Sequence, residues 1–326
     1  MKHIRHAARR VLPLAVLLPA AALTAACPSV ASESGGGAEP REGTKPTVVL
    51  VHGAWADASG WDEVVRSLQA QGYPVVATAN PLRGLSGDSD YLAARLKSIE
   101  GPIVLAAHSY GGAVITNAAA GNPNVKSLVY IAGFAPDQGE TTLQLTAKYP
   151  GSRVTEDPEA PVPTALDAVP FGSGPTDVDL YLKPDKFSDV FLSDRLEASR
   201  ADVLAASQRP VAVATGSEPT TAVAWRTIPS WYLVATDDRT IGTENLRFMA
   251  ERAGSTTVEV DAPHAVLETD PDDVTDLILQ AAHGSHPRLA EAGAGEQAAV
   301  LGGAAVLAMA GGTALIARSR RAGGGR

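Results

Sequence analysis

Ile103-Val104-Leu105-Ala106-Ala107-His108-Ser109-Tyr110-Gly111-Gly112 is the stretch on which the reading of this chain turns. Its apolar head, Ile103 to Ala107, predicts a strand buried on both faces. Ser109 to Ala120 predicts the helix that follows, with Gly121 as its stop. One serine stands at the junction. A turn that tight strains the serine's backbone and leaves little room for side chains two residues before and two after it. Ala107 and Gly111 hold those positions. The first N–H groups of a helix have no partner inside it, and its positive dipole end favours negative charge on a nearby oxygen. Ser109 is therefore the candidate nucleophile rather than only a helix cap.

Outward from that junction, strands and helices alternate. Thr47 to Val51 reads as a strand, and Trp61 to Gln71 as a helix with Trp61, Val64, Val65 and Leu68 on one face. Pro74 to Thr78 reads as a strand, Tyr91 to Ile99 as a helix and Ser127 to Ala132 as a strand. From about Pro136 to Pro229 the pattern is irregular, rich in Pro, Gly, Thr and Asp, with one helix expected over Asp189 to Ser207. Alternation resumes with Trp231 to Ala235, Thr243 to Ala253, Thr257 to Val260 and Asp272 to Ala282. Repeated strand-helix units predict an α/β fold, a mainly parallel sheet with helices on both faces. The insert after the fourth strand, about 136–229, is expected as a cap over the carboxyl ends of the strands, where such sheets place their sites.

Two further segments supply what a serine nucleophile needs. In Val49-Leu50-Val51-His52-Gly53-Ala54-Trp55, a His-Gly pair just past a strand suits an oxyanion loop. The expected donors are the backbone N–H groups of Ala54 and of Tyr110; His52 precedes the loop and is read as structural. A serine hydroxyl also needs a base, and the base an orienting acid. Of the seven histidines, His3 and His6 fall near one end, and His283 and His286 near the other. His108 adjoins the serine on the turn, poorly placed to take its proton. His264, in Asp261-Ala262-Pro263-His264-Ala265 after the last strand, remains as the candidate base. The acid is expected after the preceding strand, at Asp237 or Asp238.

With these residues assembled, the chain from about Pro46 to Gln280 resembles a bacterial α/β-hydrolase of the branch that includes plant methyl-ester esterases and hydroxynitrile lyases. The resemblance rests on Val51-His52-Gly53-Ala54-Trp55, Gly60-Trp61, His108-Ser109-Tyr110-Gly111-Gly112, Asp238-Arg239-Thr240-Ile241 and His264. It implies a triad of Ser109, Asp238 and His264, since in that branch the acid directly precedes a basic-polar-Ile turn. It implies a small-molecule ester as substrate, and no metal or organic cofactor. Two positions depart from the wider pattern. Ala107 replaces the first Gly of Gly-x-Ser-x-Gly, and Gly242 stands where a Pro follows Ile241, which is expected to loosen that turn. Ala265 and Gly53 replace the Lys and Thr that the lyases carry, so a lyase on the same triad is disfavoured. A catalytically inactive binding module would need none of these residues in register.

The 326 residues are 45% hydrophobic and 19% charged, enough apolar side chain for a packed core. One Cys excludes a disulfide framework and a zinc site built on several thiolates. The net charge of −9 is unevenly placed. Lys2, Arg5, Arg9, Arg10, Arg318, Arg320, Arg321 and Arg326 lie at the two ends, and without them 19 basic residues face 36 acidic ones, a net of −17. Nucleic acid is thus excluded as a partner of the central domain, 45–283.

The ends read as addresses. Basic Lys2 to Arg10 followed by apolar Val11 to Ala26 reads as a signal peptide over 1–27, and 28–44 as a flexible linker. Ala298 to Ala317 is a charge-free run of 20 residues, long enough to span a bilayer, and the basic 318–326 after it is expected on the cytoplasmic side. Leu289-Ala290-Glu291-Ala292-Gly293, in the linker 284–297, resembles a cell-wall sorting signal with Ala292 in place of Thr. The expectation is an exported protein anchored at the extracellular face through its C-terminal segment, with the membrane, and sortase and the cell wall, as partners.

Overall fold

The computed structural model describes residues 45–284, apart from 158, 159 and 161. The signal, linker, sorting-like, membrane-spanning and basic-tail readings lie outside the described residues. Among those described, no helix is long and apolar enough to cross a membrane.

Nine strands are described: β1 Thr47–Val51, β2 Val75–Thr78, β3 Ile103–His108, β4 Val125–Ile131, β5 Leu166–Pro170, β6 Val178–Leu182, β7 Val211–Ala212, β8 Ser230–Asp237 and β9 Thr256–Pro263. Ten helices accompany them: α1 Asp62–Ala70, α2 Leu85–Lys97, α3 Tyr110–Ala118, α4 Thr142–Thr146, α5 Pro184–Leu192, α6 Ala198–Ser207, α7 Ala214–Ser217, α8 Thr243–Arg252, α9 Val266–Thr269 and α10 Pro271–Ala282. Six strands form one parallel sheet in the order β2-β1-β3-β4-β8-β9. This is the expected α/β architecture. All six residues of β3 are buried, as a central strand covered on both faces must be.

The chain runs leftward from β1 to β2 and then crosses to β3 on the other side of β1. That reversal opens a crevice at the carboxyl ends of β1 and β3. Right-handed crossovers then put α1 on the face opposite α2 and α3. Trp61, Val64 and Leu68 are buried under α1, and Leu92 and Leu96 under α2, as expected; α2 starts at Leu85, ahead of the expected Tyr91, and buries Leu85 as well.

The segment between β4 and β8 is more ordered than its composition predicts. β5, β6 and β7 form a three-stranded antiparallel sheet, flanked by short helices. The single helix expected over Asp189 to Ser207 is instead two. Pro184 opens α5 at its first turn, and the chain then leaves the helix at Ser193 and Asp194, both left-handed, with φ of 49° and 58°, before α6 begins. Ser193 Oγ donates to Asp237 O at 2.6 Å, which ties this break to the end of β8.

Candidate active site

Ser109 follows β3 directly and starts α3, at the crevice where the strand order reverses. Its φ of 54° and ψ of −127° are strained for a residue with a side chain. Surrounding bonds hold it there: Ser109 N–H donates to Ile131 O at 3.2 Å, and Ser109 O accepts from Gly112 and Phe134 N–H at 2.9 and 3.0 Å. The glycines are required by contact. A Cβ on Gly111 would lie 2.8 Å from Val51 O, and one on Gly112 would lie 2.4 Å from Phe134 O. Ala107, fully buried in β3, is accommodated where the common pattern has glycine.

His264, after β9, places Nε2 2.8 Å from Ser109 Oγ. Its Nδ1 lies 2.6 Å from Asp238 Oδ2, after β8. All three residues are buried, and His264 is 0% exposed. The other carboxylate oxygen, Asp238 Oδ1, accepts N–H groups of Thr240 and Ile241 at 2.8 Å each and of Gly242 at 3.4 Å. Burial alone would raise the Asp238 pKa, but the charge and hydrogen bond of His264 and the N–H groups of Ile241 and Thr240 outweigh it. The carboxyl sits below its ordinary value and is ionised. Asp237 points the other way, at 3.3 Å from Arg195 and 3.2 Å from Arg239. Adjacent residues of an extended strand face opposite sides, so only one of the pair can meet the histidine.

The loop after β1 lies against the serine: a Cβ on Gly53 would come within 2.5 Å of Ser109 Cβ. Ala54 therefore follows at the serine's flank, and Tyr110 N–H opens α3 beside it. His52 braces this loop. Its Nε2 accepts from Asn80 N–H at 3.0 Å and its Nδ1 donates to Gly53 O at 2.9 Å, so the ring is neutral, consistent with a pKa lowered by burial. The structural reading of His52 is borne out.

Gly242 behaves differently from expectation. Its φ of 92° is inaccessible to proline, its Cα packs against Gly151, and its N–H reaches the triad carboxylate. The turn is not loose: N–H groups of Thr240, Ile241 and Gly242 all point at Asp238 Oδ1.

Two participants were not legible beforehand. Asp88, in α2, is 1% exposed and accepts from Tyr110 OH at 2.8 Å and from Arg83 N–H at 3.1 Å. Burial lifts its carboxyl above the ordinary value against those bonds. It anchors the residue next to the serine. Its signal was the buried stripe Leu85, Asp88, Ser89, Leu92, Leu96, recognisable only with the helix begun at Leu85. His108 donates from Nε2 to His264 O at 2.8 Å, with the two rings 4.8 Å apart. Burial, and then the neighbouring His264, push its pKa down to about 3, so it is a neutral strut under the base. The cap also grips the site. Thr240 Oγ1 donates to Val190 O at 2.8 Å, Ala265 N–H to Phe191 O at 3.1 Å and Trp55 Nε1 to Leu180 O at 3.1 Å.

A cavity of about 520 Å³ opens over Ser109, walled by Ala54, Trp55, Phe134 and Leu143 and by residues of β6 and β7. A more polar groove of about 390 Å³, lined by Ser86, Asp90, Lys97 and Asn122 among others, contains no residue of the triad. Among the described residues, no cluster of three or more His, Cys, Asp or Glu could hold a metal ion.

Comparison with known proteins gives this geometry its family. Residues 48–277 match the Alpha/beta hydrolase family. A carbendazim hydrolyzing esterase from Nocardioides sp. (strain SG-4G) is 32% identical over 113 residues, a match that spans 31% of this chain and 47% of that protein. Alpha/beta hydrolase nvfD from Aspergillus novofumigatus is 26% identical over 261 residues, covering 73% of this chain and 97% of the relative. Among solved structures, polyneuridine aldehyde esterase superposes with a TM-score of 0.61 at 18% identity, over 72% of this chain and 98% of its own. A pyrethroid hydrolase from Sphingobium faniae does so with a TM-score of 0.58 at 21% identity, over 74% and 98%. These likenesses in structure are likenesses of fold. With residues 48–277 matched, most of the described domain, the chain belongs to the alpha/beta hydrolase family.

Proposed function

We propose that this protein hydrolyses carboxylic esters through an acyl-enzyme on Ser109. The observation that carries the reading is the unbroken hydrogen-bonded chain Ser109 Oγ, His264, Asp238, at 2.8 and 2.6 Å. Ser109 Oγ attacks the acyl carbon while its proton passes to His264 Nε2. Asp238 fixes the tautomer with the proton on Nδ1 and stabilises the cation that forms. The N–H groups of Ala54 and Tyr110 receive the oxyanion. Collapse expels the alcohol, which takes the proton from His264. Water, activated by the same histidine, then attacks the acyl-enzyme and releases the acid.

The test is turnover of a short-chain activated ester by the wild type and by Ser109→Ala. Losing a triad member costs on the order of 10⁴-fold or more. A folded Ser109→Ala variant that kept a tenth of wild-type activity would overturn the assignment.

The protein is further proposed to be exported and held at the extracellular face. Supporting this are the basic-then-apolar run Lys2 to Ala26, and the charge-free Ala298 to Ala317 ahead of Arg318, Arg320 and Arg321. Protease added to intact cells should then remove the catalytic domain. A full-length protein protected inside the cytosol would refute it.

A further inference from the structure

The cavity over Ser109 is defined by what its wall withholds. Among the described residues that line it, none carries a charge. The hydroxyl groups that could serve a polar substrate already donate to the protein. Thr142 Oγ1 donates to Thr215 O at 3.1 Å, Thr215 Oγ1 to Ala212 O at 2.8 Å, and Thr240 Oγ1 to Val190 O at 2.8 Å. Ser217 Oγ donates to Val213 O at 3.2 Å, and Tyr110 OH to the buried Asp88 at 2.8 Å. Trp55, the one indole on the wall, donates its N–H to Leu180 O. What faces the cavity is mainly carbon, from Phe134, Leu143, Val178, Leu180 and Val211.

An ionised group entering this space would give up part of its hydration and, among the described residues of the wall, meet neither a counter-ion nor a side-chain donor free to replace the water. Such desolvation is costly unless the charge is paired and hydrogen-bonded. An apolar chain entering the same space gains by leaving water. Building on the ester-hydrolase reading, we propose that the site selects esters uncharged on both sides of the reacting carbonyl and apolar in the part that enters the cavity, and rejects their carboxylate-bearing analogues. The selection operates on the ground state and the transition state alike, because both place the same chain against the same wall.

Matched pairs separate this from the reading on which it rests. In the wild type, kcat/KM is compared for methyl hexanoate and monomethyl adipate, which differ by a terminal methyl against a carboxylate. In Ser109→Ala, binding is compared for heptan-2-one and 6-oxoheptanoate, whose ketones stand in for the ester carbonyl. The expected ratio favours the neutral member by about 10²- to 10³-fold in both comparisons. Equal binding of the two ketones, or faster turnover of the adipate, overturns the proposal. Selective binding of heptan-2-one with no hydrolysis of either ester upholds the assignment of the pocket and removes the ester-hydrolase reading instead.

Discussion

Replacing Asp238 by Asn isolates the orienting acid from the rest of the site. The amide is the same size, and its oxygen can still accept the N–H groups of Thr240 and Ile241, so the turn is kept. The other arm changes sign. Where Asp238 Oδ2 accepted from His264 Nδ1 at 2.6 Å, an amide NH₂ now donates, and the ring answers by presenting a lone pair at Nδ1. The proton then resides on Nε2, the atom that must take the proton of Ser109. A wrong tautomer of this kind costs about 10⁴ in kcat in serine proteases, and the same loss is expected here with KM little changed. The neighbouring Asp237→Asn is the internal control. It removes half-exposed ion pairs to Arg195 and Arg239, each worth no more than about 1 kcal/mol, and touches no triad atom. Its activity should stay within about threefold of wild type. Steady-state kinetics on one activated ester, with circular dichroism to verify folding, decides the matter. Small, equal losses in the two variants would refute the argument from the strand's alternation and place the acid elsewhere.

Two further outcomes follow from the same geometry. Gly242→Pro should destabilise the protein by more than about 1 kcal/mol, because φ of 92° is closed to proline; a raised melting temperature would contradict this. His108 is held neutral in the fold with a pKa of about 3, against 6.5 when free, so below about pH 6.5 the unfolded chain takes up a proton that the folded one refuses. Stability should therefore fall as pH drops from about 6.5 toward 3, and urea midpoints of His108→Gln between pH 6.5 and 5 should fall less steeply than those of wild type. Identical slopes would remove His108 as the cause. The depressed Asp238 carboxyl adds a loss of the same sign only at lower pH, below the ordinary carboxylate value.

The parts of this protein legible in its sequence are those whose signal is local. β3 and the helix after it are marked by an apolar run, one serine and small residues at fixed offsets, and the structure shows Gly111 and Gly112 pressed against backbone. The last strands and the acid turn between them were legible for the same reason. The cap was not. β5 and β6 are five residues each, pair antiparallel with an exposed face, and lie among prolines and glycines that also mark loops. The break between α5 and α6 falls at Ser193, whose left-handed conformation is fixed by a bond to Asp237 O and has no signature such as glycine. Asp88 and His108 act through residues 22 and 156 positions away, and neither distance is written in the local pattern.

Everything proposed for this site requires that Ser109 become acylated. A fluorophosphonate ester, which arrests at the tetrahedral adduct of an activated serine, tests it directly by intact-protein mass spectrometry followed by peptide mapping. One adduct per chain is expected, on Ser109, formed in the wild type, absent from Ser109→Ala and slowed by several orders of magnitude in Asp238→Asn. An ester-hydrolysing wild type that takes up no adduct, or takes it up at another residue, would contradict it.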